Sequence, residues 1–265
     1  MSWSAASLRL HVESALAGRV AAPFRFREGG VLQFVSTGIA ALDELSGGLP
    51  CGCLTEIYGP PCSGKTSILQ SILAARTRSE ACALVDAQDS FDPVGSQRAG
   101  VVLQRLLWIR CHGIDQALRS ADLLLHGGGF SLIALDLSDV PARLVRQVQL
   151  NVWFRMRRAV ENSSTVFLVL AQETNAKTCA SLVLRVQKET VSWFLPDAFH
   201  TPGCLLDVST HSAEMVRSFL RHKKPLFIDR PECEKAHFRL GTARLCNAEA
   251  LPCVERPKER MRNPG

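Results

Sequence analysis

One short stretch of this sequence restricts the fold more than any other. Residues 54–67 read LTEIYGPPCSGKTS and match the pattern G-x-x-x-x-G-K-[ST] at every fixed position. An apolar segment precedes the pattern, and Ile68, Leu69 and Ile72 follow it with helical spacing. We therefore expect a phosphate loop between a β-strand and an α-helix, with the positive end of the helix dipole directed at the loop. These flanking segments argue against a Gly/Pro turn that matches by chance.

The residue types in this loop predict phosphate chemistry. Glycines allow backbone N–H groups to turn inward around phosphate oxygens. We expect Lys65 to reach the β- and γ-phosphates of a nucleotide and the Thr66 hydroxyl to bind Mg²⁺. The predicted nucleotide contacts in the loop are Gly59, Pro60, Pro61, Cys62, Ser63, Gly64, Lys65, Thr66 and Ser67.

Beyond the loop, strand-like and helix-like segments alternate. The pattern predicts a long helix at 143–161 and strands at 82–86, 106–110, 130–136, 166–171, 182–186, 205–209, 215–220 and 237–240. This alternation favours a parallel sheet with helices on both faces, in which ligands bind at the carboxyl ends of the strands. Gln88, Asp136 and Gln172 follow predicted strands and should lie at that edge beside the phosphate loop.

The two ends of the chain differ from its centre. Residues 4–18 predict an amphipathic helix that packs on its own core or docks on a neighbour, and residues 24–27 predict an edge strand. The chain carries a net charge of +6, and residues 221–265 hold eleven Lys and Arg against six acidic residues, or +5. We expect an N-terminal helix and linker (1–32), a core (33–242) and a flexible, basic, Pro-containing tail (243–265). The tail is compatible with nucleic acid, an acidic partner or simple solvation.

Several classes of protein are disfavoured by composition. No run of 18 apolar residues exists, which argues against a membrane-spanning helix. The N-terminus lacks the basic start and apolar block of a secretory signal. The ten cysteines are scattered without a C-x-x-C pair, as expected of small buried residues in a reducing cytoplasm.

The motifs together resemble those of a known family. TGIAALDELSGGLPCGCLTEIYGPPCSGKT followed by CALVDAQDSFDP resembles the core of RecA recombinases, and SLIALD and VFLVLAQ resemble two later strands of that core, over about residues 33–240. The resemblance implies a RecA-like P-loop NTPase core of the α/β class, with a mostly parallel, twisted sheet, helices on both faces and an antiparallel C-terminal extension. It implies ATP and Mg²⁺ as cofactors, Asp136 and Thr66 as magnesium ligands, Gln172 at the γ-phosphate-sensing position and Asp92 as a retained nucleotide contact.

Within that family, the run LNVWFRMRRAVENSSTVFLVLAQ looks most like the ImuA-type RecA homologues, which are bacterial accessory proteins of damage-induced mutagenesis. This likeness implies a role in DNA repair, the SOS response and translesion synthesis. It implies RecA or accessory proteins of an error-prone polymerase as partners, and a bacterial cytoplasmic location, associated with the nucleoid when engaged.

The sequence also departs from the family pattern. Gln88 stands where the family has the glutamate that polarises the attacking water, and an amide cannot accept that proton. Asp86 or Asp89 is a candidate substitute. Gly95 stands where RecA has a Tyr that stacks on adenine. The loops at 137–142 and 173–180 are too short for the DNA-gripping loops of RecA, although Arg143, Arg146, Arg155, Arg157 and Arg158 offer a basic surface for DNA or a partner, or an ordinary solvated helix face.

Three functions remain open from the sequence. The first is a nucleotide-binding accessory protein in DNA repair and translesion mutagenesis, with weak or absent ATP hydrolysis. The second is a DNA-stimulated ATPase that acts as a divergent recombinase. The third is a nucleotide-gated scaffold unrelated to DNA. We expect a monomer or a hetero-complex rather than a long homofilament, no membrane association, and at most weak direct DNA contact through the basic surface and tail.

Overall fold

The computed structural model describes residues 33–161, 163–194, 205–218 and 235–241, which lie in a compact unit that begins at Gln33. The predicted helix at 4–18, the predicted strand at 24–27 and the tail from 243 lie outside the described residues. No described helix is long and apolar enough to cross a bilayer.

The described elements alternate between strands and helices. The helices are α1 (Ala40–Ser46), α2 (Lys65–Arg76), α3 (Pro93–Arg98), α4 (Ile114–Gly127), α5 (Ala142–Arg146) and α6 (Leu150–Val160). The strands are β1 (Phe34–Val35), β2 (Leu49–Pro50), β3 (Cys53–Tyr58), β4 (Cys82–Asp86), β5 (Leu106–Arg110), β6 (Leu132–Asp136), β7 (Val166–Ala171), β8 (Leu182–Phe194), β9 (Leu205–Ser218) and β10 (Lys235–Gly241).

Eight of these strands form one sheet in the order β10-β9-β8-β3-β7-β6-β4-β5. The pairs among β8, β3, β7, β6, β4 and β5 are parallel, and β9 and β10 continue the sheet in antiparallel orientation. The predicted fold class, a mostly parallel α/β sheet with an antiparallel C-terminal extension, is confirmed. β1 and β2 form a separate antiparallel pair.

The two faces of the sheet pack into two hydrophobic clusters. In β7, Leu168 and Leu170 point into one cluster, whereas Phe167 and Val169 point into the other. All four side chains are fully buried, as are their neighbours on β6. Burial on both faces explains why these strands are continuous apolar runs in the sequence. Moving each large side chain from water into the core stabilises the folded protein by about 1.5–3 kcal/mol. The central strands therefore form a rigid base for the loops at their carboxyl ends.

The structure corrects three predicted elements. The strand predicted at 182–186 continues to Phe194 as β8, because it pairs with β9 along that whole length. The helix expected at 143–161 is divided into α5 and α6, with Gln149 in an extended conformation between them. A continuous helix of that length would extend about 28 Å, which exceeds the roughly 17–20 Å of a typical strand beneath it. The strands predicted at 205–209 and 215–220 are the single strand β9, because the polar residues between them pair with both β8 and β10.

Candidate functional site

The predicted phosphate loop joins β3 to α2. The Gly59 N–H donates to the carbonyl of Ala171 at 3.2 Å, which fixes the start of the loop against the end of β7. Gly64 caps α2 with a φ of 92°, and Cys62 has a φ of 60°. Only glycine adopts the first conformation without strain, so the second glycine of the motif is required by the backbone itself.

The Lys65 side chain lies across this loop. Its Nζ donates to the carbonyls of Gly59 at 2.7 Å and Pro60 at 2.8 Å, and to Ser63 Oγ at 3.2 Å. The residue is only 5% exposed, and burial lowers the pKa of Lys65, whereas the nearby carboxylates of Asp136 and Asp139 act in the opposite direction. Its three donors thus hold the ammonium group within the loop, close to two acidic residues.

The start of α2 offers groups that a phosphate can bind. Within the described part of the chain, the backbone N–H groups of Cys62, Gly64, Lys65 and Thr66 donate to no protein acceptor. Helix N-termini leave such donors unpaired, and the helix dipole favours an anion there. Thr66 is exposed, and its hydroxyl has no described protein partner. These observations fit a phosphate-bearing ligand and a Mg²⁺ ion that Thr66 and Asp136 would hold.

Asp136 ends β6 at the same edge of the sheet. Its Oδ1 accepts a hydrogen bond of 2.9 Å from the Ser138 N–H. Burial raises the pKa of Asp136 above its usual range, and the charges of Asp86 and Asp139 add to that effect. A cation at this position would relieve the cost of the half-buried carboxylate, since hard divalent ions prefer oxygen ligands.

The position expected to hold the catalytic general base lies after β4. Gln88 is exposed, and its backbone N–H donates to Asp86 Oδ1 at 3.2 Å. The carboxylate of Asp86 is buried and also accepts from the Phe91 N–H at 2.8 Å and from Trp108 Nε1 at 3.3 Å. Asp86 is therefore fully engaged in local structure rather than directed at a substrate.

Asp89, the other candidate substitute, is also engaged. Its two oxygens accept from Arg110 Nε at 2.6 Å and Nη2 at 2.5 Å, a bidentate ion pair. This pairing lowers the pKa of the Asp89 carboxyl. A weakly basic carboxylate that is held by a guanidinium is poorly suited to accept a proton from water. Neither aspartate thus has the contacts expected of a general base.

Asp92 serves as the N-cap of α3. Its Oδ1 accepts from the Val94 N–H at 3.0 Å, and Pro93 occupies the first helical position. A Cβ atom at Gly95 would clash with Asp92 Oδ2. The absence of a side chain at position 95 therefore allows the carboxylate of Asp92 to fold back over the first turn of its own helix.

Gln172 connects two of the loops at the carboxyl edge. Its Nε2 donates to the Ser138 carbonyl at 3.0 Å and, more weakly, to the Val140 carbonyl at 3.4 Å. The next residue, Glu173, forms a bidentate ion pair with Arg146 of α5, with distances of 2.6 and 2.7 Å. The loops after β6 and β7 are therefore joined to each other at the end of the sheet.

The loop after β7 is also tied to the strand that precedes the phosphate loop. The buried carboxylate of Glu56 accepts from Thr174 Oγ1 at 2.8 Å, the Asn175 N–H at 2.6 Å and the Ala176 N–H at 3.2 Å. Burial raises the pKa of Glu56, and these hydrogen bonds act against that rise. Three bonds to one carboxylate restrict a loop that is already short.

One further residue contacts the loop from a distant part of the chain. His211 of β9 is 3% exposed, and its Nδ1 lies 2.8 Å from the Ser63 carbonyl. Its partner in the loop is 148 positions away in the chain, so no local pattern could have identified the contact. The antiparallel extension therefore contacts the phosphate loop directly.

The geometry defines a class of protein. A glycine-containing loop between a central parallel strand and a helix, with a lysine folded over it and a carboxylate on a neighbouring strand, is the phosphate-binding element of P-loop proteins. The motif predicted from the sequence lies at the expected edge of the sheet. Asp136 ends β6 at the same edge, and Gln88 and Gln172 follow β4 and β7 there.

Comparisons with known proteins narrow this class. Residues 26–152, a little under half of the chain, match the model of the RecA N-terminal domain. The RecA proteins of Rhizobium rhizogenes and Allorhizobium ampelinum are each 42% identical over 108 residues, which is 40% of this chain but only 30% of each RecA protein. A crystal structure of the RadB recombinase matches with a TM-score of 0.56 and 19% identity, over 82% of this chain and 99% of that one. These findings support a relationship to the RecA recombinase superfamily and a RecA- or RadB-like fold.

Proposed function

We propose that this chain is a RecA-like, nucleotide-binding accessory protein in bacterial DNA repair and translesion mutagenesis. It binds ATP with Mg²⁺ through the phosphate loop, hydrolyses it weakly or not at all, and acts through partner proteins. The observation that carries this proposal is the combination of a complete phosphate loop with Gln88 at the base position, where both neighbouring aspartates are held by other groups.

Each site residue has a distinct role in this proposal. The free N–H groups of the loop and Lys65 bind the phosphates, and Thr66 and Asp136 hold Mg²⁺, which neutralises phosphate charge when bound. Gln172 senses the γ-phosphate and couples it to the loop carbonyls at 138 and 140. Asp92 contributes to nucleotide binding near the adenine.

The accessory role is supported by the loops at the carboxyl edge. Glu56 and Arg146 fix the loop after β7, and Gln172 fixes the loop after β6. Single-stranded DNA binding usually needs a basic groove with aromatic stacking, and these short, tied segments provide neither. RecA or an error-prone polymerase assembly as the partner, and the bacterial cytoplasm as the location, rest on the family resemblance.

The first experiment measures binding of a fluorescent ATP analogue and ATP turnover, with and without single-stranded DNA, for wild type and Lys65→Ala. We expect binding that weakens at least about 100-fold in Lys65→Ala, because charge-assisted hydrogen bonds to phosphate contribute about 1.5–3 kcal/mol each. We expect turnover no faster than that of Lys65→Ala.

DNA-stimulated turnover by wild type would instead support the divergent recombinase. A scaffold unrelated to DNA would be supported by two results together. A pull-down with purified RecA and polymerase subunits would recover neither, and binding of another partner would depend on ATP alone. Light scattering with ATP and single-stranded DNA tests the oligomeric state, for which we expect a monomer or hetero-complex rather than filaments.

A further inference from the structure

We infer that His211 is a positioning residue for the phosphate loop, and that it fixes the peptide group between Ser63 and Gly64 in its phosphate-binding orientation. This inference rests on the proposed nucleotide-binding function and deepens it. It assigns a role in that site to the antiparallel extension of the sheet, which the loop motif does not include.

The hydrogen bonds of His211 define its proton arrangement. Nδ1 lies 2.8 Å from the Ser63 carbonyl, and Nε2 lies 2.8 Å from Ser209 Oγ. A carbonyl oxygen can only accept, so Nδ1 carries the proton and donates it. Burial lowers the pKa of His211, which favours the neutral ring. Nε2 then accepts the Ser209 hydroxyl proton at 2.8 Å, in preference to the Leu240 carbonyl, which lies 3.3 Å from the same oxygen.

Packing holds the imidazole ring in place. The ring stacks on Phe238 of β10, with centroids 5.7 Å apart and an interplanar angle of 22°. A Cβ atom at Gly64 would lie 2.9 Å from His211 Nδ1 and 3.0 Å from Leu240 Cδ1. The ring is therefore confined between β10 on one side and the phosphate loop on the other.

Peptide geometry connects this contact to the ligand. In a trans peptide, the carbonyl and the following N–H lie in one plane and point in opposite directions. Because the Ser63 carbonyl points at His211, the Gly64 N–H points away from it. This N–H is one of the loop donors that have no described protein acceptor. Without the imidazole donor, the Ser63 carbonyl would lose its partner and the peptide could rotate, which would redirect the Gly64 N–H.

Asparagine and glutamine variants test this arrangement with matched side chains. The amide nitrogen of His211→Asn can take the position of Nδ1 and donate to Ser63, whereas His211→Gln carries its amide one methylene further, near Nε2. We expect the ATP-analogue affinity of His211→Asn to stay within about threefold of wild type, and that of His211→Gln to fall at least about tenfold. His237→Gln, on the exposed face of β10, is the control and should bind as wild type does.

The urea unfolding midpoint of each variant separates positioning from folding. The inference requires that affinity differ between the Asn and Gln variants while their midpoints are similar. Because His211→Gln could fail to fold, Ser209→Ala provides a second test: it keeps the imidazole, removes the hydroxyl that holds Nε2, and should weaken binding about two- to fivefold.

Three outcomes overturn the inference. Equal affinities for folded His211→Asn and His211→Gln would show that the Nδ1 donor does not position the loop. If His211→Gln does not fold, an unchanged nucleotide affinity of Ser209→Ala would also show that the Nδ1 donor does not position the loop. If wild type binds no better than Lys65→Ala, the proposed function fails, and the inference falls with it. Tight nucleotide binding by wild type that does not change when His211 is substituted would instead overturn only the inference and leave the proposed function intact.

Discussion

The carboxylate of Glu56 accepts a hydrogen bond of 2.6 Å from the backbone N–H of Asn175, although the two residues are 119 positions apart. Glu56 lies in the strand that leads into the phosphate loop, and Asn175 lies in the loop that follows Gln172. The contact therefore links the strand before the phosphate loop to the loop after β7, and it gives a buried carboxyl group a hydrogen-bond partner.

Glu56→Gln should change how stability depends on pH. Burial raises the pKa of Glu56 above the value of about 4.3 that it has in an unfolded chain. Between those two values the folded state binds more protons than the unfolded state, so wild-type stability falls as pH rises through that window. The amide keeps an oxygen for the Asn175 and Ala176 N–H groups but does not ionise. We expect the stability of Glu56→Gln relative to wild type to increase with pH, measured by urea unfolding from pH 4.5 to 8.

The control for this prediction is Glu173→Gln, because Glu173 is a partly exposed carboxylate in the same loop, paired with Arg146. Its stability relative to wild type should not rise with pH. A flat difference between Glu56→Gln and wild type across the range would contradict the prediction.

Asp136→Asn should stabilise the metal-free protein and impair magnesium-dependent binding. Burial and nearby acidic groups raise the pKa of Asp136, so ionising this carboxyl costs more free energy in the folded protein than in water. The amide retains the acceptor for the Ser138 N–H. We expect a gain on the order of 1 kcal/mol in unfolding free energy at pH 8, with at least about tenfold weaker binding of Mg–nucleotide.

Asp139→Asn is the matched control for Asp136→Asn, since Asp139 is an exposed aspartate nearby. It removes only a charge that acts on Asp136 and Lys65 from nearby, so it should change both quantities less than Asp136→Asn does. If Asp136→Asn bound Mg–nucleotide as tightly as wild type, the assignment of Asp136 as a metal ligand would be wrong.

Gln88→Glu should introduce or increase ATP turnover. A carboxylate at this exposed position can accept a proton from water, which neither Asp86 nor Asp89 is free to do. General-base catalysis typically contributes about 10²–10⁴-fold, and we expect a gain near the lower limit because the surrounding loop is unchanged. Steady-state phosphate release at saturating ATP measures it. Gln97→Glu, on the exposed surface of α3, should leave turnover unchanged.

Fast turnover by wild type, equal to that of Gln88→Glu, would contradict this prediction. It would mean that another group activates water and would favour the divergent ATPase over the accessory protein.

Gly64→Ala should damage the phosphate loop for two reasons. The φ of 92° disfavours any side chain, and the new methyl group would lie 2.9 Å from His211 Nδ1. We expect a loss of about 1–3 kcal/mol in unfolding free energy and at least about tenfold weaker nucleotide binding. Calorimetry and fluorescence titration measure the two effects. Gly127→Ala is a suitable control, because its added methyl group would have no atom within 4 Å other than those of its chain neighbours and of its own helix backbone.

The fold class and the position of the candidate site were predictable from local patterns. Buried parallel strands are short apolar runs, and β4, β5 and β7 begin and end at their predicted bounds. The phosphate loop is recognisable because phosphate binding needs glycine, lysine and threonine at fixed spacing. The polar residues at strand ends followed from the parallel topology, since parallel strands end at one edge of a sheet.

The sequence by itself determined that a strand, a phosphate loop and a helix follow one another here, because each depends on residues close together in the chain. Only the tertiary structure decided that α5 and α6 are separate, that β9 is continuous, and that His211 and Glu56 hold the two loops. The physical reason is that hydrogen bonds across 119 or 148 positions depend on the strand order of the sheet, which no local pattern encodes.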